Sequence, residues 1–217
     1  MSPRLTRAEQ TERNRALLLA AARTVFLERG YHGASVEQIA DEAGFSTGVV
    51  YSQFGGKADL FLALLEARIE ERAADNMQAV DSLAGDQGIV RLLEHAASAD
   101  RAEPEWGLLV IEFRVHAARE PELGRRYAAA HRRTLAGLER AVTALYQRAE
   151  QQPPLPPADL ARLVMTISAG DRLEEAAEPG SYPITRLAGL LARLIGRRPG
   201  ILTQASSGEE SHESDDR

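Results

Sequence analysis

Residues 35–54 read SVEQIADEAGFSTGVVYSQF, and this stretch decides the fold. Two short apolar-periodic segments lie on either side of a three-residue turn that begins at Gly44. A helix-turn-helix needs a small residue where the two helix backbones approach, a turn residue that tolerates positive φ, and an apolar plug in the second helix. Ala40, Gly44 and Val50 meet these needs at the spacing Ala-x3-Gly-x5-Val. The stretch therefore predicts a helix-turn-helix.

The second of these helices would offer its outer face to base edges in a major groove. That face carries Thr47, Gly48, Val49, Ser52 and Gln53. Helix N-termini present backbone N–H donors to phosphates without formal charge. We expect such helix starts at Ser35, Ser46 and Lys57. This segment is therefore a candidate double-stranded DNA-binding surface.

The remaining chain predicts further helices. Proline is absent between Pro3 and Pro104, and the segments between later prolines are rich in Ala, Leu, Arg and Glu without period-two alternation. We predict an all-α protein of about nine helices. They cover 9–29 with a stop at Gly30, a short helix capped by Ser35, a short helix capped by Ser46 or Thr47 and ending near Phe54, then 57–80, 86–99, 104–119, 121–150, 157–178 and 183–196.

Composition excludes several classes of protein. The chain has 217 residues and no cysteine, which excludes disulfides, thiolate metal sites and cysteine nucleophiles. Its longest apolar run has seven residues, against the roughly 18 to 20 that a membrane span needs. The first 15 residues lack the apolar region of a secretory signal. We therefore expect a cytoplasmic protein without membrane contact.

The net charge of -6 is unevenly distributed. Residues 1–60 carry seven basic and seven acidic side chains, whereas residues 206–217 carry five acids and one base. We predict an acidic, disordered tail over 200–217. Arginines precede or open the first helix and are expected to form a flexible arm that tracks DNA or is merely solvated. They are Arg4, Arg7, Arg13 and Arg15.

Over about residues 13–64 the sequence resembles the TetR family of bacterial transcriptional repressors, of the TetR/AcrR type. The matching features are Phe26 and Gly30 at the end of the first helix, the run SVEQIA from Ser35, the run AGFSTGVVYSQF from Ala43, and Lys57 followed by Leu60. The resemblance implies an N-terminal three-helix DNA-binding domain over 1–55. It also implies a larger helical ligand-binding and dimerisation domain over 56–199.

The resemblance also implies roles for individual residues. Tyr51 and Lys57 match residues that hold phosphates, and Gly48 matches the glycine that lets the helix approach DNA closely. Thr47, Val49, Ser52 and Gln53 would set sequence preference. Two departures from the family pattern, Thr47 in place of a common lysine and Gly56 in place of a capping Ser or Asn, predict fewer phosphate contacts and weaker nonspecific binding.

For the larger domain the family implies a ligand cavity and a helical dimer interface. Candidate cavity residues are Trp106, Leu109, Phe113, Tyr127, His131 and Met165, together with Met77. Candidate dimer residues are Leu160, Leu163, Val164, Ile167, Leu187, Leu190, Leu191 and Leu194, together with Ile195. Each set has the alternative interpretation of ordinary core packing. An apolar lining would suit a small, mostly hydrophobic effector.

The sequence does not favour an enzyme. Glu112 and His116 lie four apart on one helical face, but HExxH and paired Glu-x-x-His motifs are missing, so we expect a helix-surface pair and no cofactor. The predicted function is a homodimeric repressor that binds a palindromic operator and is released by a small hydrophobic molecule. The alternatives are an activator, or a ligand-sensing protein whose helix-turn-helix docks another protein.

Overall fold

The computed structural model describes residues 6–81, 83–180 and 183–196, and within these ranges it holds nine α-helices and no strand. The all-α prediction is confirmed. The helices are α1 Arg7–Gly33, α2 Val36–Ala43, α3 Thr47–Phe54, α4 Lys57–Ala79, α5 Gly85–Ala102, α6 Pro104–Ala118, α7 Pro121–Arg148, α8 Pro157–Ala177 and α9 Ile184–Gly196. In the described part of the chain, no helix is long and apolar enough to cross a membrane.

The helix-turn-helix forms as its residues predict. The Ser35 hydroxyl accepts from the Gln38 backbone N–H at 3.2 Å, and the Gln38 side chain accepts from the Ser35 N–H at 3.0 Å. This reciprocal capping satisfies donors at the start of α2. Gly44 adopts the left-handed region at φ 71°, which turns the chain sharply between the helices. Ala40 and Val50 are buried between α2 and α3, so all three predicted roles are confirmed.

Helix α1 is longer than predicted at both ends. Thr6 and Glu9 form a capping box, so the helix begins at Arg7. Arg7, Arg13 and Arg15 therefore lie within α1, and the expectation that they belong to a flexible arm is wrong, while Arg4 lies outside the described residues. The helix is interrupted as expected at Gly30, whose φ of 69° is not helical.

Two apolar clusters hold the helices together. The first joins α1, α2 and α3 to α4, α6 and α7, and the second joins α5, α7, α8 and α9 with Val80. Because the first cluster runs from Leu18 to Ala130, the packing is continuous across residue 55. The expected division of the chain at residues 55 and 56 therefore does not coincide with a break in the core.

Leu160 and Val164 belong to the second cluster, where each is 1% exposed. Their assignment to the dimer interface is therefore wrong for the folded chain, because both side chains are already buried within it. Helical periodicity could not distinguish these two destinations, since both place apolar residues on one face of α8.

Aromatic rings join the N-terminal helices to α4 and α6. The Phe61 ring centroid lies 4.1 Å from that of Phe113, 5.5 Å from that of Phe26 and 5.7 Å from that of Tyr31. The Trp106 ring lies nearly parallel to that of Phe61, with their centroids 6.2 Å apart. These edge-on and stacked contacts are favourable geometries for aromatic pairs. They connect the end of α1 to the wall of the larger helical domain.

Candidate functional site

The outer face of α3 is the most exposed part of the helix-turn-helix. Tyr51 is 53% exposed, although Val50 beside it is completely buried. Of the other predicted DNA-binding residues, Ser46, Gly48 and Ser52 are exposed and Ser35, Thr47, Val49 and Gln53 are half-buried. The structure therefore presents most of the predicted residues at one surface.

Two of these residues are partly engaged within the protein. The Val49 side chain packs against the first apolar cluster, and the Ser52 hydroxyl donates to the Val49 carbonyl oxygen at 2.8 Å. Ser46 is the N-cap of α3, but its side chain makes no capping hydrogen bond. The Ser46 hydroxyl is therefore not used to start the helix, unlike the hydroxyl of Ser35.

Lys57 has a structural role that the sequence did not indicate. Its Nζ donates to the carbonyl oxygens of Tyr31 at 2.8 Å and Ala34 at 2.9 Å, and it lies 4.6 Å from the centroid of the Tyr31 ring. Burial lowers the pKa of Lys57, and the nearby Glu112 carboxylate acts in the opposite direction. Two of the three donors of an ammonium group are thus used to fix α4 to the end of α1. The third donor of Lys57 is left for the expected contact with a DNA phosphate, which stays a prediction.

Glu112 of α6 reaches the same turn. Its two carboxylate oxygens accept from the backbone N–H groups of Tyr31 and His32, each at 2.9 Å. The expected surface pair between Glu112 and His116 is therefore wrong. His116 Nε2 lies instead 3.4 Å from a Glu120 carboxylate oxygen. We call the Glu112 contact to Tyr31 and His32 the α6 latch. It joins α6 to the helix-turn-helix unit, by which we mean α1, α2 and α3.

A cavity of about 120 Å³ lies between α4, α6, α7 and α8. Trp106, Tyr127, His131 and Met165 line it, as predicted. Leu109 and Phe113 do not, because they are 3% and 0% exposed in the first apolar cluster. Met77 packs against the second cluster instead. Their assignment to the cavity is wrong, since apolar spacing alone places a residue inward without saying whether it meets side chains or a void.

The cavity is also lined by charged residues that the sequence analysis missed: Arg68, Arg72, Glu103 and Arg172. Arg68 and Arg72 lie four apart, next to the inward residues Leu65 and Ile69, so helical spacing was the available signal. Arg68 contacts Glu103 and Glu71, each at 3.2 Å. Glu103 also forms an ion pair with Arg23 of α1. The cavity wall is thus connected to the helix-turn-helix unit by charge as well as by packing.

Two groups in the wall have shifted pKa values. Burial lowers the pKa of His131, and the positive charges of Arg114 and Arg162 lower it further. Burial raises the pKa of Tyr127, while Arg114 and Arg172 oppose that shift. Both groups therefore respond to arginines, which indicates a positive electrostatic potential in the cavity. The lowered pKa favours the neutral form of the His131 ring.

This shift predicts a pH dependence of stability. Folded His131 resists a proton that the unfolded chain accepts below about pH 6.5, so its contribution to the free energy of unfolding falls as the pH is lowered through that value. Between pH 7.5 and pH 5.5, the free energy of unfolding measured in urea should fall less for His131→Gln than for the parent chain. Equal losses would contradict the assignment.

The remaining dimer candidates have mixed positions. Leu163, Ile167 and Leu187 are half-buried, whereas Leu190 is 46% exposed. The side chains of Leu191, Leu194 and Ile195 lie outside the described residues. Leu173 of α8, which the sequence analysis missed, is 50% exposed. Exposed leucines on α8 and α9 leave these helices available for a partner, but the interface stays a prediction.

Residues 18–64 match the family model of bacterial regulatory proteins of the tetR family. The match covers the end of α1, the helix-turn-helix and the start of α4, which is the part whose geometry is described above. This part of the chain belongs to the TetR family. It contains the helix-turn-helix that the resemblance implied. Among the described residues, no group of three or more His, Asp or Glu side chains is placed to hold a metal ion.

Curated relatives include both activators and repressors. The transcriptional activator FasR of Mycolicibacterium smegmatis is 41% identical over 69 residues, which are 32% of each chain. The transcriptional repressor AcnR of Corynebacterium jeikeium is 28% identical over 108 residues, which are 50% of this chain and 52% of AcnR. The matched segment thus spans about a third to a half of the length of these TetR-type relatives.

The fold itself is shared over nearly the whole chain. The crystal structure of the regulator FadR from Bacillus subtilis in complex with stearoyl-CoA has a TM-score of 0.66 and 18% identity, covering 86% of this chain and 99% of FadR. The larger helical part of the chain therefore has a known architecture.

Proposed function

We propose that this chain is a homodimeric repressor that binds a palindromic DNA operator and leaves it when a small molecule fills the cavity. The observation that carries this proposal is the exposed outer face of α3, held on a fully formed helix-turn-helix core. Bacterial operators lie in the cytoplasm, where this function would be performed. Residues 1–55 would supply the DNA contacts, and residues 56–199 the cavity and dimer interface.

Tyr51 is the strongest single indication of DNA binding. A large aromatic side chain that is 53% exposed contributes little to the core, so its position on α3 favours an intermolecular role. Residues 1–60 have no net charge, and so phosphate contacts would come mainly from hydroxyl groups and helix N-termini rather than from a basic patch. This arrangement favours specific over nonspecific binding.

A dimer would place two copies of α3 on the same face of DNA. Two-fold symmetry matches a palindrome whose half-sites are about 34 to 36 Å apart. The exposed Leu173 and Leu190 support an interface built from α8 and α9. We propose that Leu163, Ile167 and Leu187, which are half-buried in one chain, complete that interface.

Ligand control requires that the cavity and α3 be coupled. The α6 latch and the Arg23–Glu103–Arg68 ion pairs both join the cavity wall to α1. A ligand that prefers the released geometry by about 100-fold shifts the equilibrium by roughly 2.7 kcal/mol. The fold shared with FadR, which was crystallised with stearoyl-CoA, supports the use of this domain for a ligand.

Selection from random duplex DNA by the purified full chain tests operator binding. Performed at about 0.15 M salt, it suppresses nonspecific phosphate binding. We expect enrichment of a palindrome. If the folded chain enriches no sequence, operator binding is contradicted and a protein partner for the helix-turn-helix becomes the better explanation.

Replacing Tyr51 by alanine should separate DNA binding from stability. We expect Tyr51→Ala to lower the affinity for the selected operator by about tenfold or more, because a charge-assisted contact to phosphate is lost. The free energy of unfolding should change by less than about 0.5 kcal/mol, since the ring is exposed. Leu155→Ala, which removes a 44% exposed side chain in the segment before α8, is the control and should change neither quantity.

Replacing Gly48 by alanine makes an independent test. A Cβ at Gly48 would lie 3.7 Å from the Ser46 Oγ, an ordinary contact, so the free protein accommodates it. Alanine is also the better helix former by up to about 1 kcal/mol. We expect unchanged or higher stability and weaker operator binding, measured by urea unfolding and fluorescence anisotropy. Undiminished operator affinity would contradict close approach of α3 to DNA.

An activator is the second candidate function, because the similar FasR is an activator. Transcription in vitro from a promoter that carries the selected operator distinguishes the two. Less transcript with the protein than without it supports repression, and more transcript supports activation.

A further inference from the structure

The charged part of the cavity wall indicates the chemical class of the ligand. We propose that the cavity binds an organic acid, with its carboxylate held by Arg172 and Arg68 and its apolar or aromatic body against Trp106 and Met165. This inference rests on the proposed use of the cavity as the effector site. It adds a carboxylate to the small, mostly hydrophobic ligand that the sequence predicted.

The lining brings three guanidinium groups, those of Arg68, Arg72 and Arg172, together with one carboxylate, that of Glu103. Each guanidinium has five N–H donors in a planar fork that matches a carboxylate, so an arginine that is already hydrogen-bonded can still bind an acid. A cationic ligand would meet like charges instead. A neutral ligand would gain no charge-assisted hydrogen bond from these groups.

The pKa shifts of Tyr127 and His131 agree with a positive potential in the cavity. Arginine charges act on the titration of both groups, and they lower the pKa of His131 in the same direction as burial does. A carboxylate placed between these groups and Arg172 would be stabilised by that potential. The His131 ring and the Tyr127 hydroxyl also line the cavity and add hydrogen-bonding groups.

Gly107 shows that the position of Arg172 is built into the cavity. A Cβ at Gly107 would lie 2.8 Å from the Arg172 Cδ, so the missing side chain on α6 lets Arg172 lie across that helix. Arg172 also borders an adjoining groove of about 240 Å³ beside Leu108 and Pro104. It thus lies between the cavity and this groove. Because Asp171 and Glu175 also line the groove, an acid would be favoured on the cavity side of Arg172.

Binding of an acid would also reach the DNA-binding unit. Arg68 donates to Glu103 at 3.2 Å, and Glu103 in turn pairs with Arg23 of α1. A ligand carboxylate competes with Glu103 for Arg68 and so weakens the ionic connection between α4, α6 and α1. An acid would therefore bind more tightly to the conformation in which this connection is weakened. Ligand-induced release requires such a difference in affinity between two conformations.

Trp106 allows a direct binding test, because it is the only tryptophan of the chain and lines the cavity. Its emission would be followed while the full-length protein is titrated with acids and their primary carboxamides of the same skeleton: benzoic, phenylacetic, 4-tert-butylbenzoic and octanoic. We expect at least one acid to bind about tenfold or more tightly than its amide, as a charge-assisted hydrogen bond requires.

Two variants assign that preference to Arg172. Arg172→Gln should reduce acid binding by about tenfold and leave amide binding unchanged, and Arg125→Gln on the exposed face of α7 is the matched control. Gly107→Ala keeps every charge but displaces the Arg172 side chain, so it should also weaken acid binding even if Arg172→Gln fails to fold.

Amides that bind as tightly as acids, no response to any acid, or an acid preference that survives both variants would overturn the inference. Each of these results leaves operator binding by α3 intact. Conversely, failure to select an operator with a retained acid preference would contradict the regulator mechanism and not the ligand class.

Discussion

Phe113→Ala is expected to lower the free energy of unfolding by about 3 to 5 kcal/mol, the usual cost of removing a buried aromatic ring. Phe113 is 0% exposed, and its ring lies 4.1 Å from that of Phe61 and 4.9 Å from that of Tyr31. The neighbouring helices cannot close the void completely, because Tyr31 is also fixed by the α6 latch. The ring therefore supports the junction of α1, α4 and α6.

Urea unfolding monitored by circular dichroism measures this loss. Val115→Ala, two residues further along α6 and 50% exposed, is the matched control and should change stability by no more than about 0.5 kcal/mol. Phe113→Leu should fall between the two. Comparable stabilities for Phe113→Ala and Val115→Ala would show that Phe113 is not part of the core.

Local signals were the reliable part of the sequence. The roles of Ala40, Gly44 and Val50 depend on contacts within a dozen residues, so their spacing specified the turn without knowledge of the rest of the chain. Prolines likewise indicate where helices begin from local sequence alone. Pro104 and Pro121 open α6 and α7 because a first-turn residue has no helical partner for its N–H.

Residues whose environment depends on distant helices could not be assigned in the same way. Trp106 and Phe113 lie on the same helix and are both aromatic, yet only Trp106 meets the cavity. Periodicity identifies the inward face of α6, whereas the void depends on how α4, α7 and α8 pack around it. Val164 was misassigned to the dimer for this reason, since α5 and α7 already cover it.

The positions of several charged side chains could not be predicted from the sequence. Arg68, Glu103 and Arg172 come from three different helices, and nothing in their sequence spacing brings them together. Glu112 was expected to face its neighbour His116, but the kink at Gly30 exposes two backbone donors that a carboxylate satisfies better. The charged wall of the cavity and the α6 latch are therefore visible only in the tertiary structure.

Glu112→Ala is expected to open the α6 latch. Hydrogen bonds to a charged acceptor contribute roughly 1.5 to 3 kcal/mol, so the free energy of unfolding should fall by about that amount. The backbone amides of Tyr31 and His32 should exchange with solvent at least about tenfold faster, because they lose their acceptor. Glu139→Ala, an exposed carboxylate on α7, is the control and should affect neither amide.

Gly30 offers a way to separate the latch from general destabilisation. Its φ of 69° strains any other residue, and a Cβ there would lie 2.9 Å from a Glu112 carboxylate oxygen. Gly30→Ala should therefore carry two costs, about 1 to 2 kcal/mol of backbone strain and the loss of the latch. In the Glu112→Ala background only the strain remains.

The double variant should thus be more stable than the sum of the single losses predicts, by about the value of the latch itself. Hydrogen exchange and urea unfolding of the four proteins would complete this cycle. Strictly additive losses would mean that Gly30 and Glu112 act separately, and that α6 is joined to the helix-turn-helix unit by the aromatic cluster and the Glu103 ion pairs alone. A measured coupling would identify the turn after α1 as the point where movement of α6 reaches α3.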